Sequence, residues 1–221
     1  MSLFPLFLKL AGRKVLVVGG GPVAAAKVAA LREAGADVFT VAPEVEPALA
    51  ELAAAGKISV ERRSFEAADL EGAWLVVAAA TPEVNRGVAA AAESQRRFVL
   101  AVDDPSAASA FGAGTLRKGG VTVAVSTDGR APALAGLLRE ALEAVLPDDL
   151  EAWTATAERQ RAAWRAEGVP MTERRPQLLR ALNDLYYTGP SKGPVPPAMG
   201  SDGQSPSTPD AIAARNGKVA P

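Results

Sequence analysis

The feature that most constrains this 221-residue chain is a glycine-rich turn near its start. Residues 15–18 are apolar and rich in valine, which is typical of a strand buried in a parallel sheet. The turn Gly19-x-Gly21-x-x-Ala24 follows and leads into a helical pattern over 23–34. In such a turn the first glycine permits the tight bend, the second lets a pyrophosphate approach the backbone, and the alanine lets helix and strand pack closely. The pattern predicts a dinucleotide site at the helix N-terminus; the alternative is a tight turn that binds nothing.

Strand and helix patterns alternate along the chain from residue 12 to about residue 105. The predicted strands cover residues 14–18, 37–42, 58–62, 73–79 and 98–102. The predicted helices between them cover residues 22–34, 45–55 and 82–96. This alternation predicts an α/β fold, a Rossmann-like, doubly wound parallel sheet with helices on both faces.

The pattern changes after residue 107. Two extended runs, at 110–115 and 121–126, predict a hairpin joined by residues 117–120. A helix is expected from Pro132, and six apolar side chains recur on one of its faces, where they contact either the sheet or a second subunit. These side chains are Leu134, Leu137, Leu138, Ala141, Leu142 and Val145.

The remaining chain is predicted to be helical and then disordered. Further helices are expected from Asp148 or Asp149 to about residue 167 and from Thr172 to about residue 187. Beyond residue 188 prolines are frequent and large apolar side chains are scarce, so burial cannot offset the ordering entropy. We therefore predict a dinucleotide-binding domain at 1–107, a hairpin-plus-helix segment at 108–147, a helical domain at 148–188 and a disordered tail at 189–221.

Composition excludes several kinds of chemistry. The chain has no cysteine and no histidine, so disulfides, thiolate nucleophiles, a histidine base and ordinary zinc or haem ligation are excluded. Acid–base chemistry falls to Asp, Glu, Lys or Tyr. A net charge of −1 creates no field for nucleic acid or an anionic membrane, and no apolar run approaches the roughly 18 residues of a membrane span. Residues 3–8 lack the basic start and cleavage site of a signal peptide, and we predict a cytoplasmic protein without a resident metal.

Candidate cofactor contacts stand where the predicted strands end, because doubly wound sheets bind ligands at that edge. Glu44 follows the second strand and is placed either to bind a ribose hydroxyl or to favour the start of the next helix. No arginine follows at once to bind a 2′-phosphate, which favours NAD over NADP. Thr81 lines the nicotinamide side of the crevice, caps the helix that begins at Pro82, or does both.

Two further groups are candidates for chemistry and substrate binding. Asp103 follows the fifth strand and is placed to act as a general base; the alternative is an ordinary turn formed with Asp104. Ser126, Thr127 and Arg130 precede a predicted helix. They form either an anion pocket at its N-terminus or an ordinary capped turn.

These motifs occur in an order that resembles one known family. The chain carries Phe4-Pro-Leu-Phe7, the glycine turn from Lys14 to Gly21, Ala79-Ala-Thr81 with Asn85, Val102-Asp103, Val123-Ala-Val-Ser126 and Pro132-Ala-Leu-Ala135. Over about residues 3–187 they resemble precorrin-2 dehydrogenase/sirohydrochlorin ferrochelatase, the dehydrogenase module of sirohaem synthase. The resemblance is specific because it joins the glycine turn, the aspartate at the strand edge and a Ser-x-x-Gly-x-x-Pro turn.

The resemblance implies an activity. NAD⁺ takes a hydride equivalent from precorrin-2 to give sirohydrochlorin, and bifunctional members then insert Fe²⁺ to give sirohaem. It implies Asp103 as the catalytic base and a homodimer interlocked through the segment after the NAD domain, here 108–147. Because the macrocycle's own nitrogens hold the iron, no metal ligands are expected from the protein.

The resemblance also assigns contacts. It places Pro22 and Val23 at the pyrophosphate and Pro43 and Glu44 near the ribose. With the candidates above, the expected cofactor contacts are Gly19, Gly21, Pro22, Val23, Pro43, Glu44 and Thr81. The expected substrate contacts are Ser126, Thr127 and Arg130, although Thr127 stands where relatives often have serine. Basic residues that would suit the substrate's carboxylates are Arg117, Lys118, Arg130, Arg174 and Arg175.

A different class of function shares the glycine turn. A non-catalytic NAD-sensing regulatory domain would bind the dinucleotide without needing Asp103. An ordinary short-chain dehydrogenase would need a Tyr-x-x-x-Lys pair, and neither Tyr186 nor Tyr187 is followed by one.

Overall fold

The computed structural model describes residues 3–187. The predicted tail at 189–221 lies outside the described residues. The strands are β1 (Lys14–Val18), β2 (Asp37–Val41), β3 (Ser59–Glu61), β4 (Leu75–Ala78), β5 (Val99–Ala101), β6 (Gly114–Lys118) and β7 (Val121–Val125). The helices are α1 (Pro22–Glu33), α2 (Pro47–Ala54), α3 (Pro82–Ser94), α4 (Pro132–Val145), α5 (Leu150–Glu167) and α6 (Met171–Tyr187), with one turn of 3₁₀-helix at Ala67–Leu70.

The first five strands form one parallel sheet in the order β3-β2-β1-β4-β5. The predicted Rossmann-like fold is therefore confirmed. The last residue of β1, Val18, pairs with Val41 on one side and Ala78 on the other, and Ala78 pairs with Ala101. These strands thus end level, and the loops that follow them share one edge of the sheet, as the ligand sites of such folds require.

The sheet is buried on both faces. On one face Leu16 and Val18 pack with Val88 of α3, and on the other Val17 packs with Val28 of α1. All five of these side chains are at most 2% exposed. Covering by helices on both sides explains why the strands are apolar nearly throughout rather than alternating.

The hairpin is present, but its predicted boundaries were wrong. β6 begins at Gly114 and continues through Lys118, which pairs with Val121. Arg117 and Lys118 therefore belong to the strand, and the turn consists of two glycines with φ of 52° and 78°. Two consecutive residues at positive φ make the tight turn that suits a twisted hairpin, so no longer connection is needed.

Helix α4 packs on the hairpin and leaves its apolar stripe exposed. Ala135 is 5% exposed, and a Cβ added to Gly114 of β6 would lie 3.0 Å from its carbonyl oxygen. Leu137 and Val145, by contrast, are 64% and 79% exposed. The stripe therefore does not pack on the sheet, which was one of its two predicted partners.

The chain divides into two compact units, one ending at Thr154 and the other beginning at Ala155. In the second unit, the described residues 155–187 include a buried Trp164 whose indole Nε1 donates a hydrogen bond of 2.6 Å to Gln177. This bond joins α5 to α6. The domain boundaries predicted at 107, 147 and 188 stay predictions.

Candidate active site

The three glycines after β1 have different surroundings. A Cβ added to Gly19, whose φ is 129°, would overlap the carbonyl oxygen of Ala79, and one added to Gly20 would overlap that of Glu44. Gly21 is exposed, and a Cβ there would meet nothing. The first two glycines therefore let the turn pack against the loops after β4 and β2, while the third presents open backbone to a ligand. Sequence reasoning gave Gly20 no role, although the run of three glycines was the available signal.

The N-terminus of α1 suits a phosphate. Gly21 is the N-cap residue, Pro22 stands in the first turn, and that turn contains no acidic side chain. The first amides of a helix have no carbonyl partner within it and carry partial positive charge. Pro22 and Val23 are the two predicted pyrophosphate contacts. Because Pro22 has no N–H, only the backbone amide of Val23 can donate a hydrogen bond from this pair. The residues present thus fit the pyrophosphate of a dinucleotide.

The loop after β2 is held against the glycine turn. The Glu46 N–H donates a hydrogen bond of 2.8 Å to the Gly20 carbonyl, and Pro43 and Glu44 are exposed beside it. Helix α2 begins at Pro47, two residues later than predicted, because this tethered segment precedes it. Glu44 therefore lies outside α2, which disfavours the alternative that it stabilises the start of that helix.

The loop after β4 reaches the same edge. Thr81 is exposed and occupies the N-cap position of α3, with Pro82 as the first helical residue, yet its side chain makes no capping hydrogen bond. Its backbone carbonyl accepts the Asn85 N–H at 2.8 Å. Thr81 therefore occupies the predicted N-cap position of α3, but its hydroxyl does not form the hydrogen bond that would cap the helix.

Asp103 and Asp104 follow β5, and only Asp104 accepts the hydrogen bonds of the turn. Asp104 accepts hydrogen bonds from the Ser106 N–H (3.1 Å), the Ser106 hydroxyl (2.5 Å) and the Ala107 N–H (3.3 Å). The bond from the Ser106 hydroxyl is the main cause that holds the pKa of Asp104 below its ordinary value. Asp103 is exposed at a φ of 58°, and within residues 3–187 its carboxylate has no hydrogen-bond or salt-bridge partner.

Asp103 lies in an open cleft of about 370 Å³ at this edge of the sheet. The cleft is lined by Val23 of α1, Ala79, Ala80, Pro82, Asn85 and Arg86 around α3, and Val102, Asp103 and Asp104 after β5. The structure therefore brings together the glycine-turn helix, the loop after β4 and the aspartate after β5, three features that stand far apart in the sequence.

Two residues of this cleft had no predicted role. Asn85 is 3% exposed and hydrogen-bonds to the loops after β4 and β5. Arg86 contributes positive charge beside the two aspartates, and its side chain, 59% exposed, forms a salt bridge of 3.3 Å with Glu83. The sequence signal that could have identified them is their position as adjacent polar residues in the second turn of a helix that follows a strand end.

The predicted substrate contacts form a turn that satisfies many of its own polar groups. The Ser126 hydroxyl accepts the Asp128 N–H at 3.1 Å, and the Thr127 hydroxyl accepts the Ala131 N–H at 3.1 Å. Arg130 donates to the Thr127 carbonyl at 3.4 Å and lies 3.8 Å from the Asp128 carboxylate. These contacts match the capped-turn alternative, while the Arg130 side chain is 82% exposed to solvent.

This turn lies close to the end of β5. A Cβ added to Gly129 would come within 3.4 Å of Pro105, two residues beyond Asp103.

Two other basic residues predicted to bind substrate carboxylates have acidic partners elsewhere. Arg117 faces Glu33 at 4.0 Å, and Lys118 binds Asp148 at 2.8 Å.

Residues 3–187 contain no group of three or more His, Cys, Asp or Glu side chains placed to hold a metal ion. No helix among them is both long and apolar enough to cross a membrane.

Fold and site together define the class of an NAD(P)-binding α/β protein. Residues 6–113 match the family model described as putative NAD(P)-binding, and residues 118–144 match that of the sirohaem biosynthesis protein central domain. The predicted NAD cofactor is thereby confirmed, whereas the bounds of its domain stay predictions. With both domains in this order, the predicted resemblance to the sirohaem synthase family is confirmed.

Curated relatives agree with this assignment. The chain is 44% identical over 176 residues to Siroheme synthase 3 of Aeromonas hydrophila, covering 79% of this chain and 38% of the relative. It is 43% identical over 184 residues to Siroheme synthase 1 of Aeromonas salmonicida, covering 83% and 39%. The siroheme synthase of Neisseria meningitidis is 42% identical over 176 residues, covering 79% and 37%. The match thus spans about two fifths of the length of these relatives.

A solved structure shares the fold. SirC, precorrin-2 dehydrogenase, superposes with a TM-score of 0.65 at 24% sequence identity, covering 85% of this chain and 93% of that one. At this identity the likeness supports the fold.

Proposed function

We propose that this protein catalyses the NAD-dependent oxidation of precorrin-2 to sirohydrochlorin. The observation that carries the proposal is the cleft in which the Asp103 carboxylate, without a partner among residues 3–187, lies beside the N-terminus of the glycine-turn helix. The relatives named siroheme synthase and the structural neighbour titled precorrin-2 dehydrogenase support the choice of substrate. The predicted cytoplasmic location is kept as part of the proposal.

The oxidation removes a hydride equivalent and a proton from the substrate. NAD⁺, when bound, would supply the hydride acceptor. The amide of Val23 and the open backbone of Gly21 would hold its pyrophosphate, Pro43 and Glu44 would contact its ribose, and Thr81 its nicotinamide side. Asp103 takes the proton, a role that its carboxylate can fill because Asp104 provides the capping bonds of the turn. Gly19 allows the close packing that holds these loops together.

Substrate carboxylates are bound from two sides of the cleft. Arg86 lines the cleft itself, on the α3 side. Ser126, Thr127 and Arg130 approach through the turn beside Pro105. Arginine suits this role because its guanidinium binds a carboxylate through two parallel hydrogen bonds.

The functional protein is a homodimer. Five large side chains of α4 are at least 40% exposed, namely Leu134, Leu137, Leu138, Leu142 and Val145. A contiguous exposed apolar surface of this kind marks an interaction site rather than ordinary solvent contact. A second copy of α4 would cover it symmetrically.

An anaerobic assay tests the reaction. Precorrin-2 and NAD⁺ are mixed with the purified protein, and the tetrapyrrole spectrum and NADH absorbance are followed together. Equal formation of sirohydrochlorin and NADH is expected, whereas NAD⁺ binding without any conversion would contradict the proposal and support the NAD-sensing alternative. Adding Fe²⁺ afterwards tests iron insertion against the uncatalysed rate, with the ring nitrogens as the metal's ligands.

A further inference from the structure

Asn85 is a buried polar residue that the proposed chemistry leaves without a role. Its Oδ1 accepts the Ala80 N–H at 2.9 Å, and its Nδ2 donates to the Ala80 carbonyl at 3.3 Å and to the Val102 carbonyl at 3.4 Å. The orientation of the amide follows from these partners, because the reverse would set an NH₂ group against an N–H donor. One side chain on α3 thus binds the loops that follow two neighbouring strands.

The bond to Val102 acts directly on the backbone of Asp103. The Val102 N–H donates to the Ala78 carbonyl at 2.9 Å, so Val102 is held by β4 on one side and by Asn85 on the other. Its carbonyl belongs to the peptide group that precedes Asp103, and φ of Asp103 is the rotation that follows this group. That φ is 58°, in the left-handed region that non-glycine residues enter rarely and keep only when their surroundings hold them there.

We propose that Asn85 is a positioning residue for Asp103. By fixing the Val102 carbonyl it maintains the left-handed turn that places the Asp103 carboxylate in the cleft. By binding Ala80 at both its N–H and its carbonyl, it ties this turn to the loop that lines the other side of the cleft. The inference rests on the proposed function, in which Asp103 is the base.

A purely structural role for Asn85 makes a different prediction. If the residue only stabilised α3, its loss would lower the melting temperature, and any buried truncation in the same helix would have the same effect on activity. A positioning role predicts a fall in kcat that stability does not explain, since small misplacement of a catalytic group costs up to about 100-fold in rate.

The experiment compares Asn85→Ala with Val88→Ala, a truncation of a fully buried side chain one turn further along α3. For each variant, kcat and KM for precorrin-2, the dissociation constant for NAD⁺ and the melting temperature are measured. Asn85→Ala is expected to lower kcat about 10- to 100-fold and to change the NAD⁺ dissociation constant by less than about threefold. Val88→Ala is expected to keep kcat within about twofold despite a comparable loss of thermal stability. A kcat for Asn85→Ala that matches that of Val88→Ala would overturn the inference.

Two further measurements separate this inference from the proposed function. Asp103→Ala tests the base itself: if that variant turns over normally, the proposed site fails whatever Asn85 does. Crystal structures of the wild-type protein and of Asn85→Asp, which keeps the side chain's size but loses both donor bonds, give φ of Asp103 without any assay. A shift of Asp103 out of the left-handed region is expected in the variant, and an unchanged φ would contradict the positioning role even if the substrate were misassigned.

Discussion

The sheet region (residues 10–110) and the hairpin–helix segment (residues 114–148) lie in the same compact unit but differ in how they bury apolar side chains. In the sheet region Leu16 is fully buried between layers of the chain's own helices. In the hairpin–helix segment Leu137, of the same size, is 64% exposed. The sheet region completes its core within one chain, whereas the segment leaves an apolar surface exposed, which we propose a second copy covers. The difference predicts that mutations in the two regions affect different properties.

The largest expected effect lies in the sheet region. Replacing Asp103 with Ala should lower kcat for precorrin-2 oxidation about 10³-fold, equivalent to about 4 kcal/mol, because no other carboxylate in the cleft is free of hydrogen bonds. Anaerobic turnover at saturating NAD⁺ measures it. The dissociation constant for NAD⁺ should stay within about threefold, since the cofactor contacts lie at the glycine turn. Normal turnover with weakened NAD⁺ binding would show that the role is misassigned.

Truncating one leucine in each region tests the comparison itself. Leu16→Ala should lower the free energy of unfolding by about 3 kcal/mol, since it leaves a cavity between packed layers. Leu137→Ala should change it by less than about 0.5 kcal/mol when unfolding is followed in urea at protein concentrations that keep the chain monomeric. Equal losses would mean that the α4 stripe is buried within the monomer in solution.

Much of the sheet region follows from the sequence because its signals are local. The valines of 15–18 and the glycines beside them predict the strand, turn and helix through their local apolar pattern and conformational preferences. The hairpin boundary does not follow in the same way, because the place of Lys118 in the strand depends on its pairing with Val121 across two glycines at positive φ. Charged residues beside Gly-Gly therefore gave a false signal of a longer turn.

The candidate site shows the same limit. That Asp104 rather than Asp103 provides the turn's capping bonds depends on where Ser106 places its hydroxyl, which adjacent aspartates in a sequence do not reveal. The partners of Asn85 lie 5 and 17 residues away along the chain and come together only when β4 and β5 pair. Sequence patterns identified the strand ends at which the site lies. Side-chain geometry was needed to show that Asp104 caps the turn and that Asp103 does not.

A charge on the α4 stripe should separate assembly from folding. Leu137→Lys is expected to raise the dissociation constant of the proposed homodimer about 100-fold or more, equivalent to roughly 2.8 kcal/mol, because a lysine would be buried against an apolar surface. Light scattering across a concentration series measures it. The matched control is Glu140→Gln, which changes the net charge by the same +1 at an exposed position of α4 outside the stripe. If Leu137→Lys assembles like the control, the stripe is not the dimer contact.

Each region contributes one arginine to the proposed binding of substrate carboxylates. Arg86→Ala should raise KM for precorrin-2 about tenfold and Arg130→Ala about threefold, the sizes expected for a partly exposed charged contact and a more exposed one. Steady-state kinetics at saturating NAD⁺ give both values. Arg139→Ala, which pairs with Glu143 on α4, is the control and should leave KM unchanged. A larger rise in KM for Arg130→Ala than for Arg86→Ala would show that the main carboxylate contact lies in the hairpin–helix segment.

The smallest expected difference is in the response to acid. In the sheet region the Asp69 carboxylate is 5% exposed and binds Arg63 at 2.6 Å, and this bond is the main cause that lowers the pKa of Asp69. In the hairpin–helix segment the fully exposed Asp148 binds Lys118 at 2.8 Å, which likewise lowers the pKa of Asp148.

A carboxyl whose pKa is lowered in the folded state stabilises the protein above its unfolded pKa, and that stabilisation is lost as the pH falls through the folded pKa. Stability should therefore fall below about pH 4, and Asp69→Asn should flatten that fall while lowering stability at neutral pH. Asp148→Asn should change the profile much less, because solvent screens an exposed pair. Urea-unfolding midpoints at neutral and acid pH check both variants. Since the Asp148 pair joins two parts of the hairpin–helix segment at its surface, equal effects from the two substitutions would show that the segment's polar contacts are as protected from solvent as those of the sheet region.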